Sequence, residues 1–193
     1  TATPGDAAAV VVVSGGNQSD TVKRALALPL VAKVTDQFGN AVSDATVTWR
    51  RTAGSGALSG TSSVTGADGL ATVRYTLGAV SGVETITASV PGASAPASFT
   101  ETALAGAPAL IAAVTGNAQT ARVLQPLAPF VVKVTDDNGN PVSGVTVTWK
   151  STNGTLSETT TTNALGQSSN TMTAGSVAGT ATATATAAGK SVT

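Results

Sequence analysis

Val34-Thr35-Asp36-Gln37-Phe38-Gly39-Asn40-Ala41-Val42-Ser43-Asp44-Ala45-Thr46-Val47-Thr48-Trp49 reads as a strand, a tight turn and a second strand ending on an indole. The same pattern returns as Val134-Thr135-Asp136-Asp137-Asn138-Gly139-Asn140-Pro141-Val142-Ser143-Gly144-Val145-Thr146-Val147-Thr148-Trp149. A repeat after about one small domain's length means two copies of one fold in tandem. The expected division is residues 1–104 and 105–193, with Leu104-Ala105-Gly106-Ala107-Pro108 as a short, stiff linker.

Within the stretch, alternation assigns faces. Leu30, Ala32 and Val34 point inward, with Val31, Lys33 and Thr35 outward. Val134 repeats Val34. Asp36 and Asp136 can accept from the amides of their own turns, Gly39 and Gly139 can supply positive φ, and Asn40 and Asn140 close the connection. On the next strand, 45–51 and again 145–150, Val47 and Trp49 face inward, as do Val147 and Trp149. An indole there fills the gap between two sheets, as in immunoglobulin-type sandwiches. No cysteine exists to form the disulfide on which that Trp usually rests, so aliphatic packing is expected to replace it.

Other strands follow outward from this centre. Residues 8–13 and 109–114 open the two copies. Thr21–Pro29 suits an extended edge segment, a short helix being the alternative. Leu70–Leu77 places Ala71, Val73, Tyr75 and Leu77 on one face, and Gln167–Thr173 corresponds to it. Residues 84–90 pair with 180–187, where strict Thr-Ala alternation implies a thin core and a less stable second copy. Residues 97–103 end the first copy. The second stops at Ser191-Val192-Thr193, inside its expected final strand, so that a cut there or a strand from elsewhere is anticipated. The fold class is all-β: two tandem immunoglobulin-like β-sandwiches, Greek-key and antiparallel, arranged end to end.

Composition narrows function. Charged residues are 10%, against the ~25% usual in soluble domains, and aromatics are 3%. Ten basic side chains balance ten acidic ones, which leaves no basic face for nucleic acid. The longest apolar run, Ala7–Val13, is strand-sized, so membrane insertion is not expected. No leader-like stretch is present, and the chain is expected to be a mature or excised segment. Absence of cysteine and histidine removes thiolate and imidazole chemistry, both catalytic and metal-binding. The ten acids scatter over turns without assembling a nucleophile, base or carboxylate pair, so neither enzyme activity nor a cofactor is expected.

The run V-T-D-x-x-G-N-x-V-x-x-x-x-V-T-W, with its downstream glycines and alanines, resembles bacterial immunoglobulin-like domains of group 1 over nearly all of both halves. These are the repeated modules of intimin- and invasin-type surface proteins. The resemblance implies an extracellular or bacterial cell-surface location and a rigid spacer in an adhesive fibre. Neighbouring immunoglobulin-like domains are its implied partners, with a host or cell-surface receptor in a few members. A self-assembling filament joined by strand complementation and a polysaccharide-binding accessory module of a secreted enzyme are the rival readings. Phe38 is the sole aromatic at a turn that could serve the latter.

Four weaker signals compete with plain structural roles. Asp136-Asp137-Asn138-Gly139-Asn140 offers oxygens for Ca²⁺ but lacks the glycine and distant glutamate of a calcium loop, so it reads as a turn. Lys33 and Lys133 lie on the outward phase, wrong for an isopeptide crosslink. The threonines of 159–162 and 180–186 read as a solvated face before they read as sugar acceptors. Asn17-Gln18-Ser19 and Asn153-Gly154-Thr155 match the N-glycosylation pattern.

Overall fold

The computed structural model describes residues 3–193, and no helix occurs among them. The chain divides into two compact units, the first running to Leu104 and the second from Ala105. Both are all-β.

Module one contains β1 (Ala9–Ser14), β2 (Ser19–Thr21), β3 (Leu30–Thr35), β4 (Thr46–Ala53), β5 (Ala57–Leu58), β6 (Ser62–Val64), β7 (Leu70–Val73), β8 (Tyr75–Thr76), β9 (Gly82–Ser89) and β10 (Ala97–Leu104). One sheet has the order β1-β3-β7. The other runs β2-β10-β9-β4-β6, and β5 pairs β8 at the side. The pairings are antiparallel except that of β2, which runs parallel to the end of β10, a correction to the fully antiparallel expectation. Residues 21–29 contain no helix. After β2 they turn and touch Thr76 through a single bridge at Ala25.

Alternation builds the interior. Leu30, Ala32 and Val34 of β3 face Val47 and Trp49 of β4, with Ile86 and Ala88 of β9 and Ala97, Phe99 and Ala103 of β10 completing one buried cluster. The expected strand 70–77 breaks at Arg74 into β7 and β8, which join different sheets, yet Ala71, Val73, Tyr75 and Leu77 all stay buried.

Module two contains β11 (Leu110–Thr115), β12 (Phe130–Thr135), β13 (Thr146–Ser151), β14 (Gly154–Thr155), β15 (Thr159–Thr161), β16 (Gln167–Asn170), β17 (Thr173–Ala174), β18 (Ala183–Ala187) and β19 (Lys190–Val192). Its sheets are β11-β12-β16 and β15-β13-β18-β19, with β14-β17 at the side. The Thr-Ala strand begins at Ala183, three residues later than expected. Ala185 stands opposite Trp149 as Ala88 stands opposite Trp49, so Ala183 holds the place of Ile86 and Ala181 that of Glu84. The buried cluster shrinks accordingly to Val132, Val134, Val147, Trp149, Ala185 and Ala187.

Candidate functional site

The repeated Asp turns are built the same way in both modules. Asp36 Oδ1 accepts from the Phe38 and Asn40 backbone amides, both at 2.9 Å. Its Oδ2 accepts from the Asn40 side-chain amide at 2.9 Å and from the Gly5 N–H at 2.9 Å. Asp136 does the same with Asn138 and Asn140 through Oδ1, and with the Asn140 side chain and the Gly106 N–H at 2.8 Å through Oδ2. Both aspartates are buried. Gly39 and Gly139 carry φ of 85° and 84° and complete the turns. The sequence shows the turn contacts. It does not show the second one, in which each aspartate also grips the incoming chain 30 or 31 residues upstream.

Electrostatics follow from these donors. The Asn40 side chain, then Gly5, hold the Asp36 carboxyl down at about 2, against a smaller opposing effect of burial. At Asp136 burial pushes upward most strongly, but the combined donation from Asn140, Gly106 and Asn138 leaves the group lowered. Four-fold acceptance by amides directs these oxygens inward, towards the protein's own donors. Among the described residues no group of three or more acidic side chains is placed to hold a metal ion.

The indoles lie where the alternation puts them. Trp49 is 1% exposed and Trp149 3%. The Trp49 Nε1–H donates to Ser63 Oγ at 2.8 Å, and the Trp149 Nε1–H to Thr160 Oγ1 at 2.7 Å. Trp49 also packs against Phe99, ring centroids 5.6 Å apart and tilted by 47°, so an aromatic neighbour joins the aliphatic ones where a disulfide would sit. Val34, Val47, Val134 and Val147 are buried beside them.

Tyr75 belongs to something the sequence reading missed. Its hydroxyl donates to Glu84 Oε2, and Glu84 Oε1 accepts from the Gly78 N–H at 2.9 Å. Burial, followed by Glu84, raises the Tyr75 hydroxyl well above its ordinary range, with Arg51 opposing. Glu84 is 1% exposed and Glu101 0%, and the two are direct cross-strand partners. The acids are thus not confined to turns, and two of them sit in a sheet interior. The signal was present, since Glu84 and Glu101 share the phase of Ile86 and Phe99, but carboxylates in an alternating strand are ordinarily placed outward. In module two Met172 occupies the place of Tyr75: Leu127 N–H donates to its carbonyl as Leu26 N–H does to that of Tyr75.

A second missed feature is a glutamine clip. The Gln18 side-chain amide donates to the carbonyls of Gly15 and Leu28, and its Oε1 accepts from the Leu28 N–H. Gln119 repeats this on Gly116 and Ala128. The signal was a glutamine three residues after a turn glycine in both copies.

The remaining candidates are dispersed. Phe38 is 79% exposed at its turn. Lys33 lies opposite Val11 and Leu70, and Lys133 opposite Ala112 and Gln167, with no carboxylate at those positions. Thr184 and Thr186 pair their hydroxyls with Thr193 and Ser191. Asn17 is exposed, while the Asn153 amide donates to Val177 O.

Comparison with known proteins places this architecture. No curated protein matches the chain. Among solved structures, it resembles InvD of Yersinia pseudotuberculosis at 19% identity and a TM-score of 0.53, covering 96% of this chain and 54% of that one. FdeC, an Escherichia coli adhesin, aligns at 20% identity and a TM-score of 0.47, over 94% of this chain and 59% of that one. The D00-D0 domain of intimin aligns at 16% identity and a TM-score of 0.44, over 94% and 93%. The profile of the bacterial Ig-like domain (group 1) matches residues 26–102 and 127–193, most of both modules. The chain therefore belongs to the bacterial Ig-like domain (group 1) family.

Proposed function

We propose that this chain is a spacer segment of a bacterial cell-surface or secreted adhesive protein, with other immunoglobulin-like domains as its neighbours. The observation that carries this reading is which contacts are duplicated. The indole with its hydroxyl acceptor, the aspartate turn with its grip on the lead-in glycine, and the glutamine clip recur in both modules, and every one of them holds the fold together. The lead-in to module two is likewise tied to its own module, by the Gly106 N–H to Asp136. Such a segment acts by holding something else at a distance.

Small-angle scattering tests this. A spacer is expected to give a radius of gyration well above the ~16 Å of a compact globule of this length. A value near that of the globule would refute it.

A further inference from the structure

Among the described residues Glu101 holds the one buried side-chain oxygen without a hydrogen-bond partner. It is 0% exposed, its Oε2 accepts from the Gln18 backbone N–H at 2.7 Å, and its Oε1 has no hydrogen-bond partner among the described residues. Its cross-strand neighbour is the equally buried Glu84. Both oxygens of Glu84 already accept, from Tyr75 and Gly78, so it offers no donor to Glu101. We infer that Glu101 is a proton-operated latch on β2: with the carboxyl protonated, Gln18–Thr21 lie closed along β10, and on ionisation they release.

The surroundings set the direction. Opposite it on β9 stands Glu84. The titratable and charged groups on the other neighbouring strands are the Tyr75 hydroxyl on β8, which donates to Glu84, Arg51 on β4, whose guanidinium donates to Gly56 O, and Asp20 on β2, whose Oδ1 accepts from the Thr21 N–H at 2.7 Å. Lys23 and Arg24, beyond β2, are exposed. None of these gives Glu101 a positive partner. An ionised carboxylate buried beside a second acid, with one oxygen unpaired by the protein, is strongly disfavoured, and the nearest relief is water. Burial accordingly raises the Glu101 carboxyl to about 7, with the Gln18 amide opposing.

The edge element bonded to Glu101 is the β2 segment. It is held on β10 by the Gln18 N–H to Glu101, by the Asn17 N–H to Thr100 O at 2.8 Å, by the Thr102 N–H to Gln18 O at 2.9 Å, by the Val22 N–H to Leu104 O at 2.8 Å, and by the short parallel register Ser19–Thr21 against Thr102–Leu104. Parallel pairing is slightly less stable per residue than antiparallel, β2 lies at the edge of its sheet, and moving it leaves the pairing of β9 with β4 in place. Module two has Ala181 in the place of Glu84 and Met172 in the place of Tyr75, so it lacks the buried acid and hydroxyl that neighbour Glu101 in module one.

Two measurements on the 193-residue chain test this. Side-chain carbon NMR of the glutamates is expected to show one carboxyl titrating far above the ordinary range, and Glu101→Gln removes that signal. Amide hydrogen exchange, corrected for intrinsic rates, is expected to show Gln18 and Thr102 losing roughly tenfold or more protection between about pH 5.5 and about pH 8.5, a decade for each unit of pKa displacement. Trp149, whose amide bonds to Glu158 O in module two, serves as the unchanged reference. In Glu101→Gln the pH dependence at Thr102 disappears. The inference is overturned if every glutamate titrates in the ordinary range. It also falls if Gln18 and Thr102 keep constant protection while Glu101 ionises, or if Glu101→Gln leaves the loss of protection intact.

Discussion

At the scale of single residues, the two indoles bear the most weight. Truncating Trp49 to Ala removes the contact with Phe99 and leaves Ser63 without its donor, and is expected to destabilise module one by about 3–5 kcal/mol in denaturant titration. The glycines of the repeat divide into two kinds. A Cβ at Gly39 meets open space, so Gly39→Ala carries only the left-handed backbone penalty of about 1–2 kcal/mol. A Cβ at Gly69 would lie 2.7 Å from Val34 O, and Gly69 O also accepts from the Val34 N–H. Gly69→Ala is therefore expected to cost distinctly more, and equal effects in equilibrium unfolding would contradict this account. Much of this was legible: Trp49, Asp36 and Gly39 announce their roles by residue type and phase. What escaped is long-range. Nothing near Asp36 in the sequence points to Gly5, and the phase that buries Glu84 and Glu101 conflicts with the solvation preference of a carboxylate.

At the scale of elements, the alternating strands were readable because one face of each is buried, and β3, β4 and β10 follow their patterns closely. The break between β7 and β8 was not, since Leu70–Leu77 keeps one inward phase while its backbone changes sheets. The parallel pairing of β2 has no local signature either. The turns and strands together give module one two opposed pH limbs. The Asp36 carboxyl lies at about 2 in the fold against 3.8 when free, so the unfolded chain binds more protons between those values. The stability it contributes is present above pH 3.8 and is lost as pH falls towards 2. Glu101, raised to about 7 from 4.5, works the other way: the folded state binds the extra proton, and stability declines as pH rises through that interval. Melting of module one is therefore expected to peak at mildly acidic pH. Asp36→Asn should flatten the acid limb and Glu101→Gln the neutral one. A profile unaltered by both substitutions would discard the assignment.

At the scale of the whole molecule, the two modules share a design but not a core. Ile86 is replaced by Ala183 and Tyr75 by Met172, and module two buries fewer large side chains around its indole. The Thr-Ala alternation of 180–187 pointed to this imbalance. Two separable thermal transitions are expected, with module two melting first. Indole fluorescence of Trp49→Phe and Trp149→Phe variants assigns each transition to its module, and the reverse order would refute the ranking. Asp136→Ala, which strips four donors of their acceptor, is expected to lower the earlier transition by about 3 kcal/mol and leave the later one in place.

The glycine that each lead-in presents to its aspartate also decides where such repeats can be dissected. A fragment starting at Ala105 retains the Gly106 N–H and fills the last lone pair of Asp136. One starting at Ala109 keeps every residue of the β-sheets yet strands that carboxylate, and should express as the poorer protein. Domain shuffling in this chain, natural or at the bench, therefore has its silent joints upstream of Gly5 and Gly106, several residues before the first strand that inspection would choose.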